Sequence, residues 1–455
     1  MTALLVRRAG FIATMDEKGQ EVKDWDILIQ GPSITAMGPD LTPPPEAEVI
    51  DAENMWVFPG LVNTHHHLFQ TLTRCIKEAQ ELELFPWLKL LYPIWAGLTA
   101  DSVAAGTALG LAELLKSGCT TASDHHYVFP REAGGELIDV QIAVARELGI
   151  RFHPCRGSMS LSEKDGGLPP DSVVQEEEEI LADCERLIQR YHDARDFSMC
   201  QLVLAPCSPF SVTKSLLEQS ASLARRHGVR LHTHLAETRD EDAYCRRELG
   251  MTPLSYMESV GWLDKDVWFA HGIHFTNADI MRLGTAGAGV THCPASNQKL
   301  SSGTAKIPAM LNRKVPVGLG ADGSASNDGS NMLAELKSAL LQAKLRWGIS
   351  ALSARDVLSI ATRGGARLLG REDIGSLAPG KAGDLIMIRS DRLDYAGCED
   401  PITALVTCGG GPVDISVVNG RIVVREGCLV SGNEGEIAAR ARTEAKNLLQ
   451  RAALA

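Results

Sequence analysis

From residue 57 onward, short apolar runs alternate with stretches that carry apolar residues at helical spacing. The runs are eight: 57–62, 120–124, 150–155, 201–205, 229–234, 267–271, 289–292 and 315–322. Between them, 102–117, 137–148, 176–191 and 214–227 read as helices, and three of these end at Gly118, Gly149 and Gly228. Eight strand-then-helix units are the arithmetic of an α/β chain folded as a (β/α)8 barrel. In such a barrel the strands are buried, and chemistry gathers at their C-terminal ends. The residues that close each run are therefore the ones that matter.

Those closing residues are rich in ligand and acid–base types. The first run leads into His65-His66-His67, the second into Asp124-His125-His126-Tyr127 and the fifth into His234-Leu235-Ala236-Glu237. His271, His292 and Asp322 close the sixth, seventh and eighth. A histidine triplet alone reads equally well as a surface run or as hydrogen-bonded core. Six polar ends out of eight do not suit a barrel interior, which branched apolar side chains normally fill. The pattern predicts a metal site.

If run 57–62 continues as a strand, residues two apart share a face. His65 and His67 then project together, with His66 turned away. The expected ligands are His65, His67, His234 and Asp322, around one Zn²⁺, with Fe²⁺ as the alternative. Three neutral nitrogens and one carboxylate leave the ion a net charge and a position for water, whose pKa falls toward neutrality. Glu237, three residues after His234, is placed to move protons, and His271 is a second acid–base group. Asp322 doubles as ligand and catalytic group. For His125, His126 and His292, core packing competes with any catalytic role.

The remaining chain is β-like. Residues 1–58 form one part of an expected small β-sandwich, 59–372 the barrel, and 373–455 the second part of the sandwich plus a helix over 434–454. Asn419-Gly420 marks a type I′ hairpin turn between two of the late strands. Net charge is −12, which argues against a nucleic-acid partner. The eleven cysteines are scattered singly, with no C-x-x-C pair, as in a reducing compartment. No leader pattern opens the sequence, and no apolar stretch reaches the roughly 18 residues of a membrane span. A cytoplasmic, homo-oligomeric protein that takes a small molecule and does not engage membrane is expected.

The residues around these ends resemble the amidohydrolase superfamily, in the branch of cytosine-, guanine- and triazine-type deaminases. Pro59-Gly60-Leu61-Val62-Asn63-Thr64-His65-His66-His67 is similar to its first metal motif. His232-Thr233-His234-Leu235-Ala236-Glu237 is similar to the second, Ala270-His271-Gly272 to the third, and 319–327 to its aspartate motif. Residues 375–385 resemble the sandwich segment that follows the barrel. Ala205-Pro206-Cys207 stands where binuclear members carry a lysine, so the resemblance implies a single metal. It also implies hydrolytic deamination of an electron-poor, amino-substituted heterocycle.

Local stretches at 67–74, 83–95, 156–161 and 165–172 resemble 8-oxoguanine deaminases and, equally, triazine aminohydrolases. The expected substrate is free 8-oxoguanine, converted to urate and ammonia. Isoxanthopterin or another pterin, guanine, and an amino- or alkylamino-triazine are the alternatives. Gln70 is expected at an amide-like ring edge, since its side chain both donates and accepts. Trp87, Trp95 and Tyr127 are expected to form an aromatic slot, and Arg156 or Tyr127 to bind a ring carbonyl. Each has a plain structural alternative: a helix-start polar residue, rim packing and an ion pair, respectively.

Overall fold

The protein is seen here as a computed structural model that describes residues 3–454. Eight parallel strands close into a barrel in chain order: Leu61–Asn63, Cys119–His126, Arg151–Ser158, Val203–Pro206, Arg230–Leu235, Val267–His271, Gly289–His292 and Val317–Leu319. The helices Leu137–Leu148 and Lys214–His227 fall on the residues their periodicity predicts, and Gly149 and Gly228 cap them in the left-handed conformation. Glycine takes that conformation without steric cost.

One element departs from expectation. Run 57–62 is two strands in two different sheets. Met55–Pro59 pairs antiparallel with Leu385–Arg389, whereas Leu61–Asn63 pairs parallel with the second barrel strand. Gly60 is the break. A Cβ there would lie 2.1 Å from Thr120 Oγ1, and its N–H donates to Asp384 O at 3.0 Å. The chain passes from one sheet into the other where only glycine fits.

The flanking strands form two sheets. A four-stranded sheet has the order Ser33–Gly38, Trp25–Gln30, Ala3–Ala9, Glu48–Asp51. A seven-stranded sheet interleaves the two ends of the chain through the Met55–Pro59 and Leu385–Arg389 pair. Val6, Ile27, Ile29, Val57, Met387 and Val417 meet in an apolar cluster of their own. The turn Asn419-Gly420 has both residues at positive φ, as a type I′ hairpin requires. Arg151 at the base of the third barrel strand holds Asp384 with Nη2 3.0 Å from both carboxylate oxygens, fully buried, and ties barrel to sheet. The final helix, Glu434–Leu454, lies back on Ala100–Lys116, with a hydrogen bond from Ser102 to Glu444. No described helix is long and apolar enough to cross a membrane.

Candidate active site

The first barrel strand stops at Asn63, so His65 and His67 stand in a loop and not on a strand. Their alternation survives for a different reason. Thr64 N–H donates to Leu319 O, His65 O accepts from Asp322 N–H, and His66 O accepts from His125 N–H at 2.7 Å. The loop is thus stitched alternately to the strands on either side, as a strand would be. His65 and His67 turn inward together, with ring centroids 4.7 Å apart. His66 turns away and bonds Ser330 Oγ through Nε2 at 2.9 Å.

The hydrogen bonds fix which nitrogen of each inward ring carries a proton. His67 Nδ1 lies 2.7 Å from His125 O, and His234 Nδ1 lies 2.7 Å from Cys207 O. A carbonyl only accepts, so both Nδ1 atoms donate. His232 Nδ1 likewise donates to Trp268 O, leaving His232 Nε2 to accept from His65 Nδ1 at 2.7 Å. Burial holds the rings neutral: it pushes His232 down to about 3 and lowers His65, His67 and His234. Three Nε2 lone pairs therefore converge. Two of them, on His67 and His234, are 3.1 Å apart, and His65 Nε2 has no hydrogen-bond partner. Asp322 Oδ1 completes the group, 3.4 Å from His65 Nε2 and 3.3 Å from His67 Nε2. Lone pairs and a carboxylate at such distances repel unless a cation sits among them. The donor set fits a divalent metal.

Asp322 is firmly held. Ser296 Oγ donates to its Oδ2 at 2.6 Å and Gly323 N–H to its Oδ1 at 2.7 Å. Burial works to raise its pKa, but its surroundings bring it well below the usual carboxylate range. Glu237 is the opposite case. Burial first, then the charges of Asp322 and Glu241, push its carboxyl well above its ordinary value. Its Oε2 is 3.4 Å from His271 Nε2, and burial lowers His271 to about 4. Two carboxyls lining one cavity are thereby pushed in opposite directions, the kind of separation that sets acid and base roles apart. Ala236, His271 and Asp322 all adopt positive φ, at 55°, 76° and 63°. Strain of that kind persists where surrounding bonds enforce it. At Ala236 the enforcer is Glu241, whose two oxygens accept from Ala236 and Glu237 N–H at 2.8 Å each.

These groups open on one cavity. Gln70, Trp87 and Tyr127 all line it, as do His67, His234, Glu237, His271 and Asp322. Gln70 Nε2 donates to Tyr127 Oη at 3.4 Å, and its Oε1 has no partner. Arg156 is different. It does not line the cavity; its side chain lies on the outer face of the third strand. Nε bonds Asp183 at 2.8 Å, Nη2 bonds Gln175 at 3.1 Å, and the guanidinium stacks 3.9 Å from the Phe129 ring centroid. The expectation that Arg156 meets a ring carbonyl is corrected: its donors are committed to Asp183, Gln175 and Gly157 O, and it does not line the cavity.

His125 stacks on His234 at 4.8 Å and bonds Ala205 O through Nε2, so it buttresses the group. His126 packs edge-on between Phe69 and Phe129, and His292 stays buried outside the converging set. The sequence reading gave no role to His232, Ser296, Glu241 or Cys207. His232 had a signal, because it precedes His234 by two on one strand and must share its face. Ser296 and Glu241 had none: their partners depend on where loops cross.

Fold and donor cluster together define the class: a (β/α)8-barrel hydrolase arranged around a divalent-metal site. Residues 56–423 match the amidohydrolase family, and the chain belongs to that family. An 8-oxoguanine deaminase of Pseudomonas aeruginosa is 51% identical over 407 residues, covering 89% of this chain and 90% of that protein. A hydroxydechloroatrazine ethylaminohydrolase of Pseudomonas sp. (strain ADP) is 39% identical, covering 96% and 94%. Among solved structures, atrazine chlorohydrolase from Arthrobacter aurescens TC1 complexed with zinc superposes with a TM-score of 0.93 at 34% identity, covering 97% of this chain and all of that one.

Proposed function

We propose that the protein hydrolytically deaminates a free, amino-substituted heterocycle, with 8-oxoguanine plus water giving urate plus ammonia as the reaction. The observation that carries the deaminase chemistry is geometric: Glu237, whose Oε2 lies 3.4 Å from His271 Nε2, lines one cavity with His67, His234 and Asp322. The 51% identity to an 8-oxoguanine deaminase supports the choice of base.

His65, His67, His234 and Asp322 would hold a single Zn²⁺, or Fe²⁺ in its place. Such an ion supplies a water of lowered pKa and polarises the carbon under attack. The protein's own groups do the rest. Gln70 meets the amide-like edge of the ring and fixes its register above the donors. Glu237 gives its proton to the ring nitrogen next to the amino-bearing carbon, which makes that carbon electrophilic. His271 and Asp322 orient the water and draw off its proton as it adds. Glu237, left as a carboxylate, takes the hydroxyl proton of the adduct as the carbonyl forms and hands it to the departing nitrogen, which leaves as ammonia, and the proton drawn off by His271 and Asp322 then restores Glu237. Tyr127 and Trp87 flank the ring and keep bulk water from it.

A triazine substrate is the second reading, favoured by the 39% identical ethylaminohydrolase and by the chlorohydrolase structure. We further propose a cytoplasmic enzyme, in keeping with eleven free cysteines, and a homo-oligomer. Ammonia release from 8-oxoguanine, guanine, isoxanthopterin, cytosine and hydroxyatrazine with zinc-loaded enzyme tests the assignment. It stands if 8-oxoguanine leads by orders of magnitude in kcat/KM. A triazine or pterin in that place keeps the chemistry and changes the substrate.

A further inference from the structure

The chain's thiols differ sharply in what they can do. Seven of the eleven are buried, and burial pushes the pKa of each one up. Thiols of that kind are inert, since the thiolate is the reactive form. Cys75, Cys398, Cys408 and Cys428 remain. Cys75 Sγ donates to Asp328 Oδ1 at 3.4 Å, and burial followed by that carboxylate raises its pKa. Cys398 and Cys408 stand apart because their sulfurs touch, 3.8 Å from one another. No other cysteine of the described residues hydrogen-bonds to a second sulfur. Both are anchored by their surroundings. Cys398 N–H donates to Tyr395 O at 3.0 Å, and buried Tyr395 packs edge-on against Trp56 with ring centroids 5.2 Å apart. Cys408 ends the helix Pro401–Cys408, which buries Ile402, Ala404, Leu405 and Val406. Before that helix, Asp400 accepts from Arg355 Nη1 at 3.0 Å and from Nη2 at 3.1 Å. Two fixed pieces of chain thus present one thiol to the other.

We propose that Cys398 and Cys408 are a modification site, a dithiol that a low-molecular-weight disulfide such as oxidised glutathione converts reversibly into an intrachain disulfide. Cys408 is the more exposed of the two and reacts first. Its thiolate, having given up a proton to solvent, attacks one sulfur of the oxidant. A mixed disulfide forms, and one reduced thiol leaves with a proton. Cys398, deprotonated in turn, attacks Cys408 Sγ, and the bond to the glutathionyl sulfur breaks to release the second reduced thiol. The two cysteines lose two protons and two electrons, and the oxidant takes up both. A disulfide needs its sulfurs about 2.05 Å apart, so the pair closes by less than about 2 Å. The second step is intramolecular, and the high effective concentration of Cys398 lets it outrun a second molecule of glutathione. The bond fastens the end of the helix to the loop before it. In a reducing compartment it opens again. Neither cysteine lines the active-site cavity, so the site stands apart from the deaminase chemistry.

The test treats the full-length native protein with oxidised glutathione, alkylates the remaining thiols in denaturant and reads the products by mass spectrometry. Glu399 is the only glutamate between the two cysteines, so cleavage after glutamate puts them on separate peptides held together by the new bond alone. The expected product is that linked pair, with an intact mass lower by two hydrogens and every other thiol alkylated. Dithiothreitol should restore all eleven thiols. Cys398→Ser should instead gain the mass of one glutathione, carried on Cys408. Wild type that keeps both thiols free, that carries glutathione on each separately, or that forms its disulfide through Cys75 or Cys428 overturns the proposal. A Cys398→Ser variant that still loses two hydrogens overturns it as well.

Discussion

His67 Nε2 and His234 Nε2 face each other across 3.1 Å, and neither has a proton to share. Each ring has committed its Nδ1 proton to a backbone carbonyl, His125 O in one case and Cys207 O in the other. The fold therefore stores an electrostatic conflict that a cation relieves. His234→Ala should bind far less metal and lose activity in parallel, as measured by elemental analysis and ammonia release on the same sample. Removing metal from wild type with a chelator should lower the Tm, because binding to the native state alone stabilises it. A chelated protein with unchanged Tm and full activity would remove the metal from the account.

Glu237→Gln separates proton transfer from metal binding. The glutamine keeps the shape and polarity of a protonated carboxyl but cannot give up or regain a proton at the required pKa. Metal content should stay near one per chain, and kcat should fall by roughly 10²–10⁴. A kcat within a few-fold of wild type would show that some other group moves the proton.

The chain's fold was legible because the signals are local. Leu137–Leu148 and Lys214–His227 carry their periodicity and their glycine stops within a dozen residues. The division of 57–62 into two strands was hidden, because Gly60 is needed only when Thr120, 60 residues on, lies against it. The convergence of His65, His67 and His234 was visible from strand ends alone. Their tautomers were not: these depend on carbonyls of His125, Cys207 and Trp268, which come from the second, fourth and sixth strand segments of the barrel. Arg156 shows the reverse limit. Its place at a strand end was correct, but which face it takes depends on Asp183 in the following helix.

Arg156 leads to a prediction of its own. Arg156→Met leaves the Asp183 carboxylate without its buried partner and removes the stacking on Phe129. Breaking a buried pair from one side typically costs about 3–5 kcal/mol, and the partial exposure of Asp183 and its remaining pair with Arg186 at 2.8 Å bring this one below that range. The variant should lose several degrees in Tm while the KM of the surviving enzyme stays close to wild type. A tenfold rise in KM with an unaltered Tm would return Arg156 to the substrate.

Glu335 gives a pH dependence of stability with a defined sign. Its Oε1 accepts from Asn327 Nδ2 at 2.8 Å and its Oε2 from Ala295 N–H at 3.2 Å, joining the loops after the seventh and eighth strands. Burial is the main cause that pushes its pKa from 4.5 up to about 8, and the Asp322 charge adds to it, while the two hydrogen bonds pull the other way. Between those two values the folded chain holds a proton that the unfolded chain has released. Stability is therefore complete below about pH 4.5 and declines as pH rises toward 8, by at most roughly 1.4 kcal/mol per pH unit for one proton. Asp124 and Glu241, each raised to about 7 by burial, act in the same direction. Glu335→Gln removes its own contribution and leaves the others, because the amide does not titrate. Denaturant unfolding at pH 5.5, 6.5 and 7.5 should give a flatter decline for the variant than for wild type. Parallel curves would mean that Glu335 is ionised in the folded protein, with Asn327 and Ala295 compensating its charge in full.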